Sequence, residues 1–258
     1  MNEPSSPPIC EAHGASDVGL VRLNNEDVFA NLSRENFFIL ADGMGGHNAG
    51  EVAANETVFK LSKWIQNYPL ATKHSTNELI RDLEEAICQT NEWVHHLASQ
   101  EKRMEGMGTT LCVAWVLGET LIFAHVGDSR IYRIRKGRIT CLTRDHSLRD
   151  ELLASGELDE SLAATYPYRN VITRAIGTQP KVAAEVQTEK IQQGDLYFLC
   201  SDGLTDALSD KTILDIIRAT DTFKEASEDL ITAVKAAGGT DNITILLFRP
   251  RTYLTKSF

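Results

Sequence analysis

The stretch DVFANLSRENFFILADG, residues 27–43, decides the fold. Two runs rich in aromatic and aliphatic residues, Asp27–Ser33 and Asn36–Ala41, flank the polar pair Arg34-Glu35. A polar pair between two strand-like runs predicts a tight antiparallel hairpin. With Arg34 and Glu35 at the turn, the register sets Asp27 opposite Asp42, so two carboxylates share the open end. A slip of one residue would send every side chain to the wrong face. The second strand then ends in Asp42-Gly43 and opens into the glycine-rich MGGHNAG, Met44–Gly50. An Asp-Gly at a strand end is often only a turn. It also suits a ligand that needs a bare charge and close backbone approach.

The same ending recurs. FILADG (Phe38–Gly43) and FLCSDG (Phe198–Gly203) are both apolar runs closed by Asp-Gly. In GGTDNITILLF (Gly238–Phe248), Asp241 instead precedes a strand. The end of one strand and the start of its antiparallel neighbour lie on one edge. Asp42, Asp202 and Asp241 therefore converge if their strands are neighbours, and Asp27 joins them through the hairpin. Asp128, in HVGDSR, is a fifth candidate. Carboxylates gathered this closely cannot all ionise without compensation. Mg²⁺ and Mn²⁺ supply it, because hard cations prefer oxygen ligands. A pair of ions roughly 3.5–4 Å apart needs a bridging carboxylate and generates a hydroxide nucleophile. Gly43 would leave its carbonyl open to one ion. Arg22, five residues before Asp27 in GLVRLNNED, suits a phosphate bound bidentately, or else an ion pair with Glu26.

Helical periodicity covers Ala49–Gln66 and Thr76–Gln100, where Leu79, Leu83, Ile87 and Val94 form one stripe. Strands are expected at Thr109–Leu117, Thr120–Val126, Arg130–Arg135 and Arg138–Leu142. With Gly127-Asp128 and Lys136-Gly137 as turns, these read as one antiparallel meander. A strand at Leu196–Cys200, helices at Lys211–Ala219 and Thr222–Ala237, and a closing strand at Ile243–Phe248 complete the reading. Runs of strands set apart from pairs of helices indicate α+β.

The chain has 258 residues, 42% of them hydrophobic, and no Pro/Gly/Ser-rich linker divides it, so one domain over residues 10–258 is expected. MNEPSSPPIC has neither a basic nor an apolar leader region, and residues 1–9 read as a disordered lead-in rather than a signal peptide. No stretch approaches the roughly 20 apolar residues of a membrane helix. The net charge of −10 argues against a nucleic-acid partner. Five scattered cysteines, none in a CxxC pair, read as reduced thiols in a cytoplasmic protein.

Taken together, the segments SDVGLVRLNNED (16–27), ADGMGGHNAGE (41–51), MGTTL (107–111), HVGDSRIYR (125–133), LTRDHS (142–147), ITRAIG (172–177), SDGLTD (201–206) and GGTDNIT (238–244) resemble the PP2C (PPM) family of metal-dependent protein serine/threonine phosphatases, in its compact bacterial form. They stand in the family's order and span nearly the whole chain. The resemblance implies a central sandwich of two antiparallel sheets flanked by helix pairs. It implies that Asp42 bridges two Mn²⁺ or Mg²⁺ ions, that Gly43 ligates one through its carbonyl, and that Asp202 and Asp241 hold the other. Asp27 and Glu26 match positions acting near the metals, and Arg22 matches the phosphate-binding arginine. Asp128 with Asp202 matches the ligands of a third ion found in bacterial members. Residues 147–170 lie where the family carries a variable flap.

One position departs from the pattern. Some relatives place a histidine, the proposed general acid, two residues after the bridging Asp; here that residue is Met44. His47 and His146 are the alternatives, along with a water on the metal. The implied reaction is hydrolysis of phosphoserine and phosphothreonine on proteins by a metal-bridging hydroxide. It would oppose a bacterial-type Ser/Thr kinase and act as a monomer away from membranes. No Cys is followed six positions later by Arg, and no DxDxT occurs, so the sequence offers no covalent phosphatase motif. A non-catalytic relative and a phosphatase of small metabolites are the rival readings.

Overall fold

The hairpin forms in the expected register: strands β2 (Asp27–Leu32) and β3 (Phe37–Met44) pair antiparallel, with Asp27 opposite Asp42. Its loop is wider than Arg34-Glu35. The amides of Glu35 and Asn36 donate to the carbonyls of Leu32 and Ser33, and Asn36 sits at φ 52°. Asparagine tolerates that left-handed region better than most residues. The computed structural model describes residues 10–45, 49–69, 75–163, 165–168 and 170–251. The expected lead-in 1–9, residues 252–258 and His47 lie outside the described residues.

Around the hairpin, β5 (Leu111–Leu117), β6 (Thr120–Val126) and β9 (Glu185–Lys190) build a sheet in the order β2-β3-β5-β6-β9, and the short β4 (Gly108–Thr109) pairs with the end of β3. The second sheet takes β1 (Cys10–Asp17), β11 (Ile243–Pro250), β10 (Leu196–Cys200), β7 (Arg130–Arg135) and β8 (Arg138–Cys141) in that order. Every pairing is antiparallel. Helices α1 (Ala49–Gln66) and α2 (Thr76–Gln100) cover the first sheet. Past the short helices α3 (Leu148–Ser155) and α4 (Glu160–Ala163) and the one-turn α5 (Asp202–Thr205), helices α6 (Asp210–Ala219) and α7 (Phe223–Ala236) cover the second.

The period-two alternation of strands explains this layering. Phe37 and Ile39 of β3 face Leu61, Ile65 and Leu83 of the α1/α2 layer. Phe38 and Leu40 face the other way and meet Tyr197, Leu199, Leu246 and Phe248 between the sheets. The Phe38 and Phe248 rings stack at 4.3 Å. Since both faces of β3 are covered, its sequence is apolar throughout rather than alternating. Capping boxes start α2 (Ser75 with Glu78) and α7 (Thr222 with Glu225) where hydrophobic periodicity begins.

The expected meander is not one. The chain leaves the first sheet after β6, turns at Gly127-Asp128 and enters the second, where β7 pairs with β10 and β8. A Gly-Asp turn between two apolar strands has the same composition whether the strands pair or separate. Strands β1 and β9 were not expected either. Both are sheet edges, and polar sequences such as EVQTEK carry little strand signal.

Candidate metal centre

Four strand ends meet at one end of the sandwich. Asp27 opens β2 and Asp42 closes β3 in the first sheet, Asp202 follows β10 in the second, and Asp241 precedes β11 beside it. The convergence therefore runs across the sandwich, not along one sheet as the strand-neighbour argument required. Arg22, Glu26, Asp42, Gly43, Asp128, Asp202 and Asp241 all line one cleft of about 310 Å³. Asp27 is buried behind its wall, where its Oδ2 accepts a 2.8 Å hydrogen bond from Ser201 Oγ. Asp128 reaches the cleft because its turn is the crossing between sheets.

Backbone contacts fix the carboxylates. The Asp42 amide donates to Thr110 Oγ1 (3.0 Å), and the Asp42 carbonyl accepts from the Thr110 amide and Thr109 Oγ1, both at 2.8 Å. Thr110 Oγ1 also shares a 2.7 Å hydrogen bond with Ser129 Oγ, which ties the end of β3 to the turn carrying Asp128. Packing also requires a glycine at position 43. A Cβ there would run into the carbonyl of Gly50 at the start of α1, and one on Gly50 would strike Glu26 and the Gly43 backbone. These two glycines let β3 and α1 cross at backbone contact.

Burial and mutual repulsion dominate the electrostatics. Desolvation, then the charges of Asp27, Asp202, Asp128 and Asp241, drives the Asp42 carboxyl well above its ordinary range. Desolvation is also the first cause for Asp27, pushed up to about 6. It likewise leads for Asp128, pushed up to about 7 with Asp145 adding to it, and for Asp202, pushed up to about 8 with Asp128 and Asp241 adding. Buried oxygens Oδ1 of Asp27, Asp128 and Asp202 have no hydrogen-bond donor among the described residues. Unpaired buried carboxylate oxygens are costly. An oxygen-coordinated divalent cation would satisfy them, so the donor set fits Mg²⁺ or Mn²⁺.

Arg22 pairs with Asp241 rather than Glu26: its Nη2 donates to Asp241 Oδ2 at 2.7 Å. The other Asp241 oxygen accepts from the Asn242 amide at 2.8 Å. Asn242 itself was missed. Its side-chain carbonyl accepts from the Glu26 amide (2.9 Å), and its Nδ2 donates to the carbonyls of Val18 (3.0 Å) and Asn24 (2.9 Å). One buried amide thus pins the segment bearing Arg22 and Glu26 to the start of β11. Beyond adjacency to Asp241, the sequence carries no signal for that role.

His146 is not placed as an acid. It is 3% exposed, and its Nδ1 accepts from the Gly127 amide (3.1 Å), which leaves Nε2 facing Glu185 Oε1 at 3.2 Å. The His146 amide also donates to the Gly127 carbonyl at 2.9 Å. The residue clamps the Asp128 turn from behind, and among the described residues no histidine lines the cleft.

The sequence profile of the family described as Protein phosphatase 2C matches residues 21–244. The chain belongs to that family. Among curated members of the protein phosphatase 2C family and their kin, it is 37% identical to the serine/threonine phosphatase stp of Listeria innocua over 236 residues, 90% of this chain and 92% of that one. The Mycobacterium tuberculosis serine/threonine phosphatase PstP/Ppp superposes with a TM-score of 0.84 at 34% identity, covering 93% of this chain and 97% of that chain. A PstP catalytic domain in complex with two manganese ions superposes with a TM-score of 0.80 at 33% identity, covering 93% and 97%. The sandwich and its helix pairs are therefore the protein phosphatase 2C fold.

Proposed function

We propose that this protein phosphatase 2C family member hydrolyses phosphoserine and phosphothreonine on proteins, using two Mn²⁺ or Mg²⁺ ions held in the carboxylate cleft. The observation that carries this reading is the set of buried carboxylate oxygens on Asp27, Asp128 and Asp202 left without donors beside Asp42. The manganese held by a solved relative of similar fold supports it. Asp42 would serve both ions, the Gly43 carbonyl one of them, and Asp202 and Asp241 the other. Asp128 with Asp202 would serve a third, while Glu26 acts from the cleft wall and Asp27 from behind it. Such ions supply positive charge for the phosphoryl oxygens and make water acidic enough to be a nucleophile near neutral pH.

The chain's own groups do the positioning. Arg22 is half exposed beside the cleft, so its pairing with Asp241 is solvent-screened and readily exchanged. A guanidinium has five donors, and those not on Asp241 are free to take the phosphate oxygens. The Asn242 amide keeps Asp241 oriented when Arg22 turns to substrate. Thr109 and Thr110 hold the Asp42 backbone still, which fixes the carboxylate that the reaction depends on most.

The reading extends to a cytoplasmic monomer opposing a Ser/Thr kinase; among the described residues the five cysteines are unpaired and no helix is long and apolar enough to cross a membrane. Residues 147–170, with α3 and α4, are taken as the flap of a single domain. A panel of phosphoserine, phosphothreonine and phosphotyrosine peptides, run with Mn²⁺ and with chelator, tests the reading. Release of phosphate from the first two only when metal is present is expected. Activity confined to small phosphorylated metabolites would overturn it.

A further inference from the structure

Residues 18–24 form a loop whose base is held at several points. Asn242 Nδ2 donates to carbonyls at both of its ends, and Asp17 Oδ1 accepts from the Gly19 amide at 2.8 Å. Gly19 takes φ 78°, a Cβ there would run into the Asp241 carbonyl, and Arg22 is tied to Asp241. Yet the loop's tip is apolar and points outward: Leu20 is 58% exposed, Val21 63% and Leu23 97%. A loop free to relax would fold such side chains onto the body of the protein. Here the anchors hold them in solvent, on either side of the arginine that lines the cleft. A second stretch of the rim repeats the pattern. Asn170 and Ile172 line the cleft, and beside them Tyr168 is 59% and Val171 45% exposed.

We propose that these two apolar rims form the docking surface for the polypeptide around the phosphorylated residue, and that they select segments with leucine- or valine-sized side chains next to it. The inference rests on the phosphatase reading. The occupant follows from continuity with the cleft: a chain delivering a phosphate between Arg22 and Asn170 must lay its neighbouring residues over Leu20, Val21 and Leu23 or over Tyr168 and Val171. Apolar side chains there are covered on both partners, whereas charged or small ones leave the rims in water.

Two phosphothreonine peptides of equal length and charge test it, one with leucine and the other with serine at the positions flanking the phosphoresidue. They are assayed on the Mn²⁺-loaded full chain, with phenyl phosphate as a substrate that cannot reach the rims. The leucine peptide should show a kcat/KM about tenfold higher, expressed mainly in KM, as expected for partly covering a leucine-sized side chain. The combined L20S, V21S and L23S substitutions should collapse that ratio towards one, and Tyr168→Ser should reduce it. The three loop positions are exposed, so folding is not at stake, and the wild-type ratio stands as a test without them. Equal use of both peptides, a preference for serine, or a ratio the triple variant retains would overturn the docking surface. So would a dimer that the variant abolishes without any peptide preference, since the occupant would then be a second copy. Turnover of phenyl phosphate with neither peptide used would also overturn the docking surface and leave metal-dependent hydrolysis standing. No turnover of any phosphoester would overturn the phosphatase reading itself.

Discussion

At Asp42, fold and chemistry pull in opposite directions. Its carboxyl faces four other carboxylates, and their charges together with desolvation disfavour its ionised form. Asp42→Asn keeps the shape and removes one of the opposed charges. Turnover should fall on the order of a thousandfold or more if Asp42 is the shared ligand proposed above. The metal-free variant should melt at the same temperature or higher, and its stabilisation by Mn²⁺ should shrink. Parallel assays and melting curves, with and without Mn²⁺, check all three, and near-normal turnover would remove Asp42 from the centre. Arg22 makes the contrasting case. It is half exposed at the cleft wall and pairs with Asp241, so Arg22→Ala should raise KM for a phosphopeptide roughly tenfold and change kcat less. An unchanged KM would count against its contact with phosphate.

Among the elements, the crossing of β3 and α1 is where the site's geometry is set. Gly43→Ala would force a methyl into the Gly50 carbonyl, with no flexible side chain nearby to give way. A loss of about 2–3 kcal/mol is expected, lowering Tm by roughly 5–10 °C. Gly118→Ala is the control. Its φ of 61° carries strain but nothing lies within 4 Å, so about 1–2 kcal/mol is expected there. If Gly43→Ala melted no lower than Gly118→Ala, the crossing would not be tight. How much was legible in sequence differs by element for related reasons. The hairpin register was readable because the polar Arg34-Glu35 pair centres the turn between two apolar runs, and α1 and α2 because 3.6-residue periodicity marks them. The edge strands β1 and β9 were not, since one-sided pairing leaves little compositional trace. The Gly127-Asp128 crossing was not, because turn composition says nothing about which sheet comes next. Asp42 and Asp202 were found from their Asp-Gly endings, Asp27 from the hairpin register and Asp241 from the strand it precedes, whereas Asn242 and the clamp of His146 on Gly127 act through backbone contacts between distant segments.

For the whole molecule, the acidic centre makes stability depend on pH in an unusual sense. Carboxyls at Asp27, Asp128 and Asp202 stand at about 6, 7 and 8 in the folded chain, and Asp42 is raised further. In the unfolded chain they return to about 4. Between those limits the folded state binds more protons at these groups than the unfolded one, so their contribution to metal-free stability is greatest at low pH and declines as pH rises through the folded values. Buried His125 and His146 act the other way. Burial lowers both, so their contribution is present above about 6.5 and is lost as pH falls. The clearest window is therefore about pH 6.5–8, where Asp128 and Asp202 titrate and the histidines stay neutral. Metal-free protein should lose on the order of 1–2 kcal/mol across it, a fall in Tm of a few degrees. Mn²⁺ reverses the slope, because ligation needs the ionised carboxylates and releases their protons, so the Tm gain from the ion should grow with pH. Asp202→Asn should flatten the metal-free slope and weaken the Mn²⁺ response together. A metal-free Tm that does not change between pH 6.5 and 8 would mean that the carboxylates are not coupled at one centre.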